Sequence, residues 1–181
     1  SATLTLTPVT TADTGDYSVT VTNDFGSAPS GTHHLEVLPA TGYAGAVMQD
    51  APLGYWPLNE LAPATAYDYS SEKNGTQEGT PTLGVDGPKP PAFKGFPANT
   101  TAYQFNGADA FVNCGTGPSL SGTTDFTLEA WINTTESGRQ STVLAQRDDY
   151  NGEYVLAINA NGTVYFLVYG SGDWQFEFNS P

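Results

Sequence analysis

The amino-acid sequence specifies an all-β chain, and three observations carry that expectation. Apolar residues alternate with a period of two in several short runs. No apolar period of 3.6 persists over three turns. The 20 glycines and 13 prolines fall mainly between the runs.

Each element follows from these signals. Tyr154–Ile158 puts Tyr154, Leu156 and Ile158 on one face. In 163–169, Val164, Phe166 and Val168 share one face, and Tyr165, Leu167 and Tyr169 the other. Between these runs, Asn159-Ala160-Asn161-Gly162 contains the Asn-Gly pair that favours a tight hairpin turn. Phe126–Ile132 is expected as a strand, with Phe126, Leu128, Ala130 and Ile132 alternating with Thr127, Glu129 and Trp131. Thr3–Thr7 is expected as another. The one helix expected is Tyr43–Asp50, followed by Pro52. Residues 84–97, with Pro88, Pro90, Pro91 and Pro97 and with Pro81 just before, read as a loop ordered by proline rather than as a strand. Pro39-Ala40-Thr41-Gly42 reads as a linker between residues 1–39 and 40–181, and no internal repeat joins the two sides.

Composition excludes several function classes. Five Lys and Arg against 19 Asp and Glu give a net charge of −14, the opposite of the basic patch that nucleic acids or anionic membranes require. No 18-residue apolar run exists to span a bilayer. Hydrophobic residues at 38% and aromatics at 12% suffice for a packed core. The single cysteine, Cys114, excludes an intrachain disulfide framework and reads as a small buried apolar residue. The N-x-[ST] matches at Asn74, Asn99, Asn133 and Asn161 mostly reflect a composition rich in Asn and Thr. Ser1 is followed by no basic-then-apolar leader, so the chain is expected to be a piece of a longer one.

Residues 1–39 hold Asp13-Thr14-Gly15-Asp16-Tyr17, then Ser18-Val19-Thr20-Val21, Asn23, Gly26 and a last run His34-Leu35-Glu36-Val37. This resembles strands E, F and G of an immunoglobulin-like domain, with D-x-G-x-Y as its tyrosine corner. The resemblance implies that the Tyr17 hydroxyl returns to the backbone of the preceding loop. It also implies that Val19, where the family commonly has cysteine, packs without an intersheet disulfide. His33 and His34 are neighbours on a strand and point to opposite faces, which disfavours chelation of one ion.

Residues 43–181 carry Tyr55-Trp56-Pro57-Leu58-Asn59-Glu60, then Asp68-Tyr69-Ser70-Ser71, then Ala102-Tyr103-Gln104-Phe105-Asn106-Gly107, then Phe126-Thr127-Leu128-Glu129-Ala130-Trp131. In this order they resemble the "YW-x-L-x-E", "D-x-S-G", "A-x-x-F-x-G" and "FT-x-E-x-W" blocks of laminin-G-like domains in the concanavalin A-like lectin/glucanase superfamily. Ser71 departs from the Gly usual at its position. The resemblance implies an antiparallel jelly-roll β-sandwich over 40–181, C-terminally incomplete, preceded by a partial immunoglobulin-like β-sandwich.

The resemblance also implies a calcium site at the D-x-S turn in many members, with Asp68 as first candidate ligand and Ser70 and Asn74 beside it. The alternative is that Asp68 caps the turn through local backbone. Asp148-Asp149-Tyr150-Asn151-Gly152 is a second acidic turn, read as a solvated hairpin tip because it lacks calcium-loop spacing. Trp56, Trp131, Trp174, Tyr150, Tyr165 and Tyr169 could stack on sugar rings, since Tyr and Trp pair an apolar body with a polar tip. Hydrolysis is disfavoured: Glu129 has Asp125 four residues back and no closer carboxylate to make the pair that glycosidases need. The expected function is a non-catalytic module of a larger secreted or surface protein. It would bind carbohydrate or an extracellular protein ligand, with possible calcium support and without membrane insertion. The alternatives are a spacer without ligand and an accessory domain of a glycoside hydrolase.

Overall fold

The computed structural model describes residues 3–116, 125–146, 154–170 and 173–179, and of 169, 170 and 173–179 the backbone alone. It divides into two compact units, one of Ser1–Ala51 with Lys89–Ala98 and the other of Pro52–Pro88 with Asn99–Pro181.

The first unit holds four short strands and the one α-helix among the described residues. The strands are β1 (Gly15–Tyr17), β2 (Thr20–Asn23), β3 (Gly26–Pro29) and β4 (His33–Leu35). β1 pairs antiparallel with β4, and β2 with β3. Ser18-Val19 separates β1 from β2. There Ser30 accepts the Val19 N–H on Oγ at 2.9 Å and returns its own N–H to the Val19 carbonyl at 2.7 Å. The β2–β3 turn closes with Asn23 Oδ1 accepting from the Phe25 N–H at 2.8 Å. Thr3–Thr7 forms no strand, and Leu4 stands 72% exposed. Alternation alone does not make a strand, which also needs a neighbouring strand to form a ladder with.

The helix α1 (Gly42–Gln49) matches the expected 43–50 within one residue. Pro52 ends it, because proline cannot continue the backbone ladder. Gly42 has φ +76°, and an added Cβ would sit 2.6 Å from the Gly95 carbonyl oxygen, so this position requires glycine. The next residue secures the contact: Tyr43 N–H donates to Gly95 O at 2.7 Å, and its ring stacks on Phe96 at 4.4 Å.

The second unit is antiparallel β throughout its described ladders. Its strands are β5 (Thr65–Ala66), β6 (Gly75–Glu78), β7 (Thr82–Asp86), β8 (Thr101–Gln104), β9 (Phe111–Asn113), β10 (Ser141–Gln146), β11 (Tyr154–Ile158), β12 (Val164–Gly170) and β13 (Asp173–Asn179). They form sheets ordered β5-β6-β9, β7-β8 and β10-β11-β12-β13. This is consistent with the β-sandwich expected from the sequence. β7 corrects the loop reading of 84–97 at its start. Leu83 and Val85 turn inward while Gly84, at φ +69°, absorbs a register shift against β8.

The β11–β12 hairpin follows the sequence closely. Its turn is held by Asn159 N–H to Thr163 O at 2.8 Å and Gly162 N–H to Asn159 O at 2.9 Å, with Gly162 at φ +86°. Register sets Val155 opposite Leu167 and Ala157 opposite Tyr165. These four make one packed face, with Ala157 0% and Leu167 2% exposed. The other face carries Tyr154 and Phe166, covered by Phe126 at centroid distances of 6.4 and 5.9 Å. Phe126–Ile132, expected as a strand, is none. Phe126 and Leu128 face inward, but by Trp131 and Ile132, 50% and 49% exposed, the alternation of burial has ended. Side-chain packing of Phe126 thus anchors the segment without a ladder. No described helix is long and apolar enough to cross a membrane.

Candidate functional site

The turn after β5 centres on Asp68, which is 5% exposed. A buried carboxylate must be compensated, and here the chain supplies donors from both sides. Oδ1 accepts the N–H of Tyr55 at 2.8 Å and of Ser70 at 3.0 Å. Oδ2 accepts the N–H of Ser71 at 3.3 Å and of Lys73 at 3.2 Å, and the Ser71 hydroxyl. Burial pushes this carboxyl upward, but the bonds from Ser71, Tyr55, Ser70 and Lys73 together hold it below the usual carboxylate range. Ser71, the departure from Gly, thus contributes a donor that glycine lacks.

The three residues expected as calcium ligands do come together here. Asn74 Oδ1 accepts the Asp68 N–H at 2.9 Å, and the Ser70 hydroxyl donates to the Pro52 carbonyl. Their arrangement does not fit a cation. Five N–H and O–H groups converge on the carboxylate, where a hard cation needs free oxygen lone pairs. Among the described residues, no group of three His, Cys, Asp or Glu side chains is placed to hold a metal ion.

A second polar network lies beside this turn. The Tyr103 hydroxyl donates to Glu60 Oε2 at 2.6 Å, and Gln77 Nε2 donates to Tyr103 Oη at 2.7 Å and to the Thr65 carbonyl at 3.2 Å. Glu60 Oε1 accepts the Tyr67 N–H at 2.7 Å. Burial and then the Glu60 carboxylate push the Tyr103 hydroxyl well above the ordinary tyrosine range. The network ties the Tyr55–Glu60 block to β5, β6 and β8. Sequence reasoning quoted Glu60 and Tyr103 within motifs but assigned them no partner. No local signal pairs them, since Glu60 lies outside the strands and Tyr103 sits in the polar strand Thr101–Gln104.

The aromatic candidates divide. Trp56 donates its indole N–H to the Lys73 carbonyl at 3.2 Å and lies over Gly54, whose added Cβ would meet the ring at 2.4 Å. Tyr165 packs on the Val155–Ala157–Leu167 face. Trp131 keeps half its surface in solvent. Tyr150 and the acidic turn 148–152 lie outside the described residues, as do the side chains of Tyr169 and Trp174. Asp125 and Glu129 lie exposed on the segment before β10. The Glu129 charge, after burial, raises the Tyr55 hydroxyl. Cys114 is half-buried, with its thiol pushed up by burial and then by the Asp68 charge. A thiol so protonated is a poor nucleophile. In the first unit, the Tyr17 hydroxyl donates to the Asp13 carbonyl at 2.8 Å, the return to the preceding loop expected of a tyrosine corner.

Residues 105–181 match a laminin-G family model of the concanavalin A-like lectin/glucanases superfamily. No curated protein and no solved structure matches the chain. The laminin-G match covers β9 to β13 and Trp131, whereas the Asp68 turn and the Tyr55–Glu60 block precede it. The ladder between β6 and β9, with Thr76 opposite Asn113 and Glu78 opposite Phe111, joins that preceding part to the matched laminin-G stretch. Gly75 lets the two strands meet, since an added Cβ would lie 2.4 Å from Val112 Cγ1.

Proposed function

We propose that this chain is a non-catalytic binding module of a larger secreted or cell-surface protein, with carbohydrate as its ligand. The observation that carries the reading is Trp131. It lies inside the stretch matched to the lectin/glucanases superfamily, and its large ring stays half exposed. Leaving an indole in water forgoes apolar burial, while a half-open indole can stack on the apolar face of a sugar. Fold kinship alone does not supply a ligand, because such folds host many functions. An array of polysaccharides and glycans, probed with the chain as it stands, tests the reading. Binding should appear and fall at least tenfold in Trp131→Ala. Binding that survives this substitution unchanged removes Trp131 from the role, and no binding at all sinks the carbohydrate reading.

Calcium support is the finer part. With the Asp68 oxygens engaged by five donors, EDTA should leave any binding unchanged. Loss of binding on EDTA treatment would instead place a calcium site in the module.

A second reading is a spacer without ligand, favoured by one observation: Trp56, Glu60, Asp68 and Tyr103 are all engaged in internal hydrogen bonds. Residues 1–39 read as the closing part of an immunoglobulin-like domain, supported by the Tyr17–Asp13 bond. Such modules commonly serve as connectors, which accords with either reading.

A further inference from the structure

The short β1–β4 ladder carries a side-chain cluster that neither reading uses. His34 on β4 lies directly opposite Asp16 on β1. Its Nδ1 sits 2.7 Å from Asp16 Oδ1, and its Nε2 sits 3.3 Å from Glu36 Oε2. Glu36 comes two residues after His34, just past the end of β4, so it shares the face of His34, while His33 points to the other face opposite Tyr17. Among the described residues, Asp16 and Glu36 are the charged groups facing the ring. A carboxylate is an acceptor only, and a neutral imidazole has one N–H to give. Satisfying both carboxylates therefore requires protons on both ring nitrogens.

We propose that Asp16, His34 and Glu36 form a pH-operated clamp, which grips β4 to β1 while the His34 ring is doubly protonated and loosens when it loses one proton. The ladder it grips is three residue pairs long, Gly15–Leu35 to Tyr17–His33. Two-stranded pairings of this length are marginal by themselves, so one side-chain tie weighs heavily. Bonds to Asp16 and Glu36, outweighing burial, raise the His34 midpoint above the ordinary histidine value. The folded value is the higher one, so the clamp is complete below about pH 6.5 and is lost as pH rises through the folded midpoint. The ring is 41% exposed, so salt should weaken the clamp.

Two measurements on the full chain test it. In an NMR pH titration, the His34 midpoint should fall in Asp16→Asn and in Glu36→Gln, and furthest in the double variant. Should the variants fail to fold, raising salt to about 1 M should lower the midpoint in the unmodified chain, because the screening length shrinks to about 3 Å. Amide protection, corrected for intrinsic exchange, should then drop several-fold at β1 and β4 across the His34 midpoint, while the β2–β3 hairpin keeps its own. A midpoint unmoved by the substitutions or by salt overturns the proposal. So does β1–β4 protection that follows the β2–β3 hairpin through the whole range.

Discussion

The Asp68 turn and the β11–β12 hairpin hold their shapes by opposite means. The hairpin uses backbone pairing with period-two packing, and its buried face is Val155, Ala157, Leu167 and Tyr165. The Asp68 turn has almost no ladder: β5 is two residues long. One buried carboxylate there stands in for a ladder by collecting N–H groups from Tyr55, Ser70, Ser71 and Lys73. Distributed apolar packing degrades gradually when a side chain is trimmed. A shape gathered on one acceptor fails together when that acceptor is removed.

Three substitutions separate the two regions by the size of the stability each loses. Asp68→Ala should cost most, about 4 kcal/mol in denaturant unfolding, because several buried donors lose their partner at once. Leu167→Ala should cost about 3 kcal/mol through its cavity and lost burial. If the Leu167 variant proves the more damaging, the single-acceptor account of the turn is wrong. Tyr103→Phe should cost about 1 kcal/mol, since it removes one hydroxyl shared between Glu60 and Gln77.

Acid sharpens the same contrast. Asp68 has a folded value below its unfolded one, so its stabilisation is present above about pH 4 and is lost as pH falls through the folded value. Asp68→Asn should flatten that part of the acid-unfolding profile, whereas Leu167→Ala should shift the profile and keep its slope.

The contrast also explains what the sequence disclosed. Alternation and an Asn-Gly turn are local signals, so β11, β12 and their turn could be read directly, as could α1 with Pro52 behind it. Tyr17 was legible because D-x-G-x-Y places donor and acceptor four residues apart. The same alternation misled at Phe126–Ile132 and Thr3–Thr7, because a strand needs a partner and periodicity does not name one. Asp68, Ser70 and Asn74 were grouped by the laminin-G-like resemblance, and the structure places them side by side. What the resemblance withheld was the direction of the hydrogen bonds, one of which comes from Tyr55, 13 residues upstream. Glu60 and Tyr103 are 43 residues apart, and nothing local announces their meeting.

The path of the chain between the two units has a consequence for cutting it. The backbone passes from one unit to the other after Ala51, again after Pro88 and again after Ala98. A protease that severs the first of these links leaves the fragments tethered through the loop 89–98, which stays with its own unit by the Tyr43–Gly95 bond and the Tyr43–Phe96 stack. A chain trimmed to begin at Ala40 would shed β1 to β4 yet keep α1 together with the loop it rests on. Separating the units cleanly therefore takes three cuts rather than one.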